Sequence, residues 1–400
     1  MKKIICFILC FCLLAGLSVT LAYESDYGTE LAGTTLNVYN WGEYIDESQL
    51  TDFEELTGIN INYSTFETNE SMYTKLIGGG ANYDIIIPSD YMVARLIRED
   101  RLEKLDRDHI PNLRYLDLSL DTSYDPTGEY SVPYTWSFVG MVYNSDYIHD
   151  EITGFSALWD EKYTGKILMM NNSRDVFAVA LSRLGYGYNS ENIDEWNEAL
   201  DLLSLQKPLL QGYITDEIFN KMESGEAWIS PCYIGDYLEM VENNEALRMV
   251  YPEEGSNTFV DALCIPKGAK NKAAAELFIN FLYEPEVSLQ NMNELYYFTP
   301  NTATAEMDEY FVNSDLDDET MIETMEAGLP QTMGQVFGAL SPETQKVLED
   351  NWLSLKKSSV GLYVYIILGA ALVFAVVTAI VQKIRKKKAE ALYESDYGRN

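Results

Sequence analysis

Thr35-Leu36-Asn37-Val38-Tyr39-Asn40-Trp41-Gly42-Glu43-Tyr44 carries the first strand and the first loop of a repeating pattern. Thr35–Tyr39 reads as a strand, carried by Leu36 and Val38. Three aromatic rings and a carboxylate then fall within the six residues 39–44. Trp and Tyr faces attract ammonium groups, and a carboxylate pairs with them. Such a loop suits a small, elongated organic cation; the same rings also suit a strand end packed in a core. Outward from here, strand and helix patterns alternate. Leu50, Phe53 and Leu56 recur at helical spacing, with Gly58 as the stop. Ile59–Tyr63 alternates like a strand. Met72 and Leu76 mark a helix ended by Gly78-Gly79-Gly80. Asp84–Pro88 is a short buried strand and Tyr91–Arg98 a helix. This is a βαβαβα unit on a mostly parallel sheet, so the class is α/β. Ligands of open α/β sheets bind at the carboxyl ends of strands. Trp41–Tyr44 and Ser89-Asp90-Tyr91 both lie there, so two loops of Tyr-plus-carboxylate chemistry converge on one edge.

A second alternation begins after Val142. Strands are expected over 165–170, 227–230 and 248–251, and helices over 175–185, 193–205 and 215–224. Asp261 opens a strand running to Pro266, with a helix after it over 272–282. Ser341–Leu355 has the pattern of a last amphipathic helix. The region between the two ends is long enough for two domains.

The ends have a different character. Met1-Lys2-Lys3 precedes an apolar run, and Thr20-Leu21-Ala22 fits a cleavage site, so 1–22 is expected to be a secretory signal peptide. No Cys in it follows a lipoprotein context. Residues 360–381 are apolar over about the 20 positions a bilayer requires. Tyr363 and Tyr365 stand near the start of this run, and Lys383, Arg385 and Lys386–Lys388 come after it. A single-pass transmembrane helix is expected, with a basic cytoplasmic tail at 382–400 and the body outside the cell. Tyr23-Glu24-Ser25-Asp26-Tyr27-Gly28 recurs as Tyr393-Glu394-Ser395-Asp396-Tyr397-Gly398; this topology puts the two copies on opposite sides of the membrane.

Composition narrows the function. The 400-residue chain has 63 Asp and Glu against 28 Lys and Arg, a formal net charge of −35. Nucleic acid is excluded as a partner, since phosphate binding needs clustered Lys and Arg. A negative surface steers cations inward. Beyond the signal segment the only cysteines are Cys232 and Cys264; a disulfide is permitted, but no metal-type spacing exists. His109 and His149 read as surface loop residues. There is no nucleophile elbow, no zinc-protease motif, no phosphate-binding loop and no dinucleotide fingerprint. Neither an enzyme nor a cofactor nor a metal is expected.

Several segments together resemble the extracytoplasmic substrate-binding proteins of polyamine ABC transporters, the spermidine- and putrescine-binding type. They are Tyr39–Tyr44, Tyr63–Leu76, Tyr83–Ser89, Ser131–Trp136, Arg174–Phe177 and Phe298–Asn301, in that order. The resemblance runs from about 34 to about 355. It implies a two-lobed periplasmic-binding-protein type II fold, with two α/β lobes closing on a hinge. Lobe one would hold 34–138 with 262–305, and lobe two 143–258 with 310–355, with crossings near Gly140, Val260 and Thr304. It also implies a cleft in which rings surround a polyamine's methylenes and carboxylates hold its ammonium ends. Carried over by motif, the rings are Trp41, Tyr44, Tyr91, Tyr233, Phe259 and Tyr297, and the carboxylates Glu43, Asp175, Asp236 and Asp261. Ser89 and Gln331 would add hydrogen bonds. Asn172 stands where spermidine-binding members can have a carboxylate, which weakens the case for a third ammonium and tilts the reading toward putrescine. The partners implied are the polyamine, an ABC permease and its ATPase. The alternatives are a module of the same fold for another small cation, and a sensor acting through a partner.

Overall fold

The computed structural model describes residues 29–79, 82–307, 310 and 336–357, with scattered positions between 374 and 387. The expected signal segment, Gln331 and both hexapeptide copies lie outside these residues, and so does almost all of the expected span and tail. Among the described residues no helix is long and apolar enough to cross a membrane.

The first half begins as the sequence predicts: β1 (Thr35–Trp41), α1 (Ser48–Thr57), β2 (Asn60–Phe66), α2 (Asn69–Ile77), β3 (Ile85–Ile86) and α3 (Asp90–Arg98). β1 pairs in parallel with both β2 and β3. Gly58 takes φ 71° and donates its N–H to the Glu54 carbonyl, a left-handed cap that costs a residue without Cβ little. Thr68 and Ser71 form a reciprocal capping box at the start of α2. Gly78 and Gly79 end that helix, Gly79 at φ 69°.

β4 (Ser131–Asn144) is almost continuously buried. Such a run has no alternation to read, because both faces meet packed side chains. Its first part, to Phe138, pairs with β9 (Thr258–Cys264), and its last part pairs with β7 (Ile229–Tyr233) and β8 (Leu247–Val250). β5 (Ile167–Met170) and β6 (Leu210–Ile214) complete the order β2-β1-β3-β9-β4-β7-β5-β6, with β8 also on β4. β4 therefore belongs to both lobes and passes between them near Gly140. The helices of the second half are α4 (Ser173–Leu184), α5 (Ile193–Gln206), α6 (Glu217–Glu223) and α7 (Ile234–Asn243). The chain then returns to the first half through β9, α8 (Lys272–Leu282), α9 (Pro285–Leu295) and α10 (Thr302–Ala305), and α11 spans Pro342–Lys356.

Each lobe has its own core. In the first, Phe53 on α1 meets Phe278 and Phe281 on α8 at ring distances of 4.9 and 5.3 Å. In the second, Leu168, Cys232, Leu238 and Leu247 lie in one buried cluster.

Two expectations are corrected. Asp261 does not open a strand; it lies inside β9, whose seven residues are all buried. The strand expected over 227–230 begins at Ile229 and runs to Tyr233, where it turns directly into α7. Cys232 and Cys264 are free, buried thiols. His109 ends a short 3-10 turn, Arg107–His109, with Nδ1 2.9 Å from Glu276.

Candidate functional site

Between the lobes lies a cavity of about 400 Å3. Trp41, Glu43, Tyr44, Ser89, Tyr91, Phe259, Asp261 and Tyr297 reach it from the first half, and Asp175, Tyr233 and Asp236 from the second. Eleven of the twelve residues expected from the sequence thus line one cavity, and the twelfth, Gln331, is outside the described residues. No Lys or Arg is among the lining residues.

Of the carboxylates that line it, Asp175, Asp236 and Asp261 each accept a tyrosine hydroxyl. Asp261 projects from the middle of β9. Tyr44 donates its hydroxyl to Asp261 Oδ2 at 2.5 Å and lies 2.7 Å from Thr135 Oγ1. Asp261 Oδ1 is buried without a hydrogen-bond partner among the described residues. Asp175 sits in the first turn of α4, where Tyr233 donates to Oδ2 at 2.7 Å and Asn257 Nδ2 to Oδ1 at 3.1 Å. Asp236 sits in the first turn of α7 and accepts the Tyr297 hydroxyl at 2.8 Å. That last bond crosses from one lobe to the other.

Helix N-termini favour negative charge, yet burial dominates here. Loss of water pushes the Asp175 and Asp261 carboxyls up to about 6 and Asp236 to about 7. The tyrosine hydroxyls of residues 44, 233 and 297 are pushed well above their usual value by burial and by those carboxylates, so they stay protonated as donors.

The rings form a box around these groups. Phe259 stands edge-on to Tyr233 at 5.1 Å and to Tyr297 at 6.1 Å. Tyr297 is edge-on to Tyr44 at 5.4 Å. Trp41 leans on Phe66 at 4.5 Å. Tyr91 is buried, its hydroxyl 3.1 Å from Asn69 Nδ2 and donating to Glu70 at 3.2 Å. Asn69 also donates to Ser89 Oγ at 3.1 Å.

Glu43 has a different setting. It is exposed, in a left-handed turn at φ 46°, on the rim rather than the floor. Glu67 and Glu294 from the same half and Asp216 and Glu239 from the other also line the cavity from exposed positions. Partial loss of water at the cavity wall, then the like charge of Glu43, raises both Asp216 and Glu239.

Asp90, Phe66 and Phe337 line the cavity as well, beyond the residues named from the sequence. Asp90 is the carboxylate of the Ser89-Asp90-Tyr91 loop, fully buried and accepting the Tyr91 N–H at 2.6 Å. Phe337 carries no local signal. Asn172 lines the cavity too, and its side chain accepts the Arg174 N–H at 3.0 Å and caps α4.

The sequence model of the bacterial extracellular solute-binding proteins matches residues 48–316. The chain belongs to this family. Its members are solute-binding components of transport, not enzymes. The spermidine/putrescine-binding periplasmic protein of Salmonella typhimurium is 35% identical over 296 residues, 73% of this chain and 83% of that protein. A structure assigned to spermidine/putrescine ABC transport in Listeria monocytogenes has a TM-score of 0.75 at 34% identity, covering 81% of this chain and 99% of that one. The spermidine/putrescine ABC transporter substrate-binding protein of Streptococcus pneumoniae, solved with calcium and HEPES, has a TM-score of 0.64 at 34% identity over the same shares. The two-lobed architecture is that of the periplasmic binding proteins.

Proposed function

We propose that this protein is the extracytoplasmic receptor of an ABC importer for a polyamine, putrescine and/or spermidine. The observation that carries this reading is the cavity's charge: Asp175, Asp236 and Asp261 face it, ringed by aromatic side chains, with no Lys or Arg among its lining residues. An ammonium taken out of water costs several kcal/mol unless a carboxylate meets it. The same holds for the carboxylates, so an organic di- or tri-cation satisfies both sides. Its methylenes would lie against Phe259, Tyr233, Tyr297 and Trp41, whose faces add cation–π attraction. Tyr44 and Ser89 support Asp261, Tyr91 closes the inner wall, and Glu43 stands at the entrance. The names of the relatives support polyamine as the class. The neutral side chain of Asn172 in the cavity wall, where spermidine-binding members of the family can carry a carboxylate, tilts the reading toward putrescine.

The lobes would be 34–138 with 262–305 and 143–258 with 310–355, hinged where β4 crosses. The apolar run at 360–381, with its basic flank, would anchor the receptor beside the permease and its ATPase, after removal of 1–22. Delivery occurs if the permease reopens the closed lobes.

Thermal unfolding of the full-length protein in detergent tests this. Ligand at a hundredfold excess over Kd adds about 2.7 kcal/mol. A raised midpoint with putrescine or spermidine, and none with a neutral diol of equal length, is expected. No shift with any polyamine would overturn the reading.

A further inference from the structure

Phe337 reaches the cavity from a segment that joins neither lobe's sheet. It is only 2% exposed. Its ring stands edge-on to Tyr91 at 6.1 Å on the first-lobe helix α3, and to Tyr188 at 6.2 Å in the second lobe. The Arg174 guanidinium, beneath the Asp175 turn of α4, lies 4.5 Å from its centroid. A buried guanidinium against an aromatic face recovers part of its lost hydration.

The segment is fastened to both lobes. On the second-lobe side, Asn189 Nδ2 donates to the Val336 carbonyl at 2.9 Å, and Gly338 N donates back to Asn189 Oδ1 at 2.8 Å. Arg174 Nη2 donates to the Gly338 carbonyl at 3.3 Å, and Ser341 N donates to Glu191 at 2.8 Å. On the first-lobe side, Arg98 donates to the Leu340 carbonyl, and Arg95 meets Glu349 at 3.0 Å. Opening the lobes must break one of these two sets.

We infer that residues 336–349 are a clasp across the two lobes and that Phe337, which the clasp delivers, is a ligand-facing wall that limits ligand length beside Asp175. The wall role rests on the polyamine reading; the clasp does not. In the seated clasp the ring packs against both Tyr91 and Arg174, which also touch each other, and lines the cavity beside Asp175, so a ligand extending past Asp175 meets it. With the clasp unseated, the cleft loses both a wall and a tie.

The test uses full-length protein in detergent with three variants. Phe337→Ala is expected to weaken putrescine at least fivefold and to move the spermine-to-putrescine affinity ratio at least fivefold toward spermine, with Phe337→Leu restoring most of the putrescine affinity. Asn189→Ala, outside the cavity, is expected to speed amide exchange over 336–345 at least tenfold in the ligand-free protein and to raise the putrescine dissociation rate several-fold. An unchanged ratio in Phe337→Ala overturns the wall. Unchanged exchange in Asn189→Ala overturns the clasp. If the parent protein binds no polyamine, the proposed function and the wall fail together, and the exchange result alone decides the clasp.

Discussion

The two lobes hold their carboxylates by different means. The first lobe fixes Asp261 in the middle of a fully buried strand, tied to Tyr44 and flanked by Ser89 from the same lobe. The second lobe presents Asp175 and Asp236 from the first turns of two helices. Asp236 is held by Tyr297, which comes from across the cleft. The first station thus lies within one lobe, whereas the Asp236–Tyr297 pair of the second is divided between the two and would part if the lobes opened. A ligand that docks first on Asp261 and then draws Asp236 and Tyr297 together would use both.

Asp261→Asn is the strongest way to break this comparison. Among the described residues it removes the one buried carboxylate whose second oxygen awaits a partner. Leaving an ammonium unpaired in a dry site costs about 3 kcal/mol, or two orders of magnitude in affinity. The same change should raise the unfolding midpoint of the ligand-free protein, because an amide pays no charge-burial cost. Calorimetry and thermal melts on one sample check both signs.

Asp175→Asn and Asp236→Asn should cost less, about 1.5 kcal/mol or roughly tenfold each. Asp236 is only half-buried, and an amide at 175 can still accept one of the two bonds now donated by Tyr233 and Asn257. For Asp236→Asn the loss should appear mainly as faster dissociation, measured by stopped-flow, since its bond to Tyr297 ties one lobe to the other. A loss as large as that of Asp261→Asn would erase the distinction between the stations.

Proton linkage gives a third, smaller effect. The three folded-state values of about 6, 6 and 7 lie above the ordinary aspartate value near 4. The stability these groups contribute is therefore full below about pH 4 and is lost as pH rises through 6 to 7. A bound cation needs them ionised. Putrescine affinity should fall at least tenfold from pH 8 to pH 5, and the midpoint gap between bound and free protein should narrow over the same span. A flat profile would mean the carboxylates do not face the ligand.

Glu43→Gln should do least. Glu43 is exposed on the rim, so equilibrium affinity should change less than twofold, while the association rate and its salt dependence drop. Stopped-flow at two ionic strengths separates these.

How much of the fold and the site was legible in the sequence depends on where each signal lives. Helix 272–282 has the predicted ends, because its apolar spacing and the Glu284-Pro285 pair after it are local signals. Tyr39–Tyr44 and Ser89–Tyr91 converge as expected, because the parallel pairing of β1 and β3 puts both strand ends at one edge. Asp261 reaches the cavity from the interior of its strand, not from the start; β9 is buried on both faces, so nothing in its sequence marks where it begins. The cap at Asn172 was legible, since Asn is a preferred N-cap residue, but the helix expected over 175–185 starts two residues after the observed Ser173 and passes it by. Phe337 was invisible because its contacts with Tyr91 and Arg174 span long stretches of chain.

The most direct test is titration calorimetry of the full-length protein in detergent at pH 8 with putrescine, spermidine and spermine. The account predicts one-to-one binding, with putrescine ahead of spermine and protons released when the titration is repeated near pH 6. Folded protein that gives no binding heat with any of the three, and no competition among them, would contradict it.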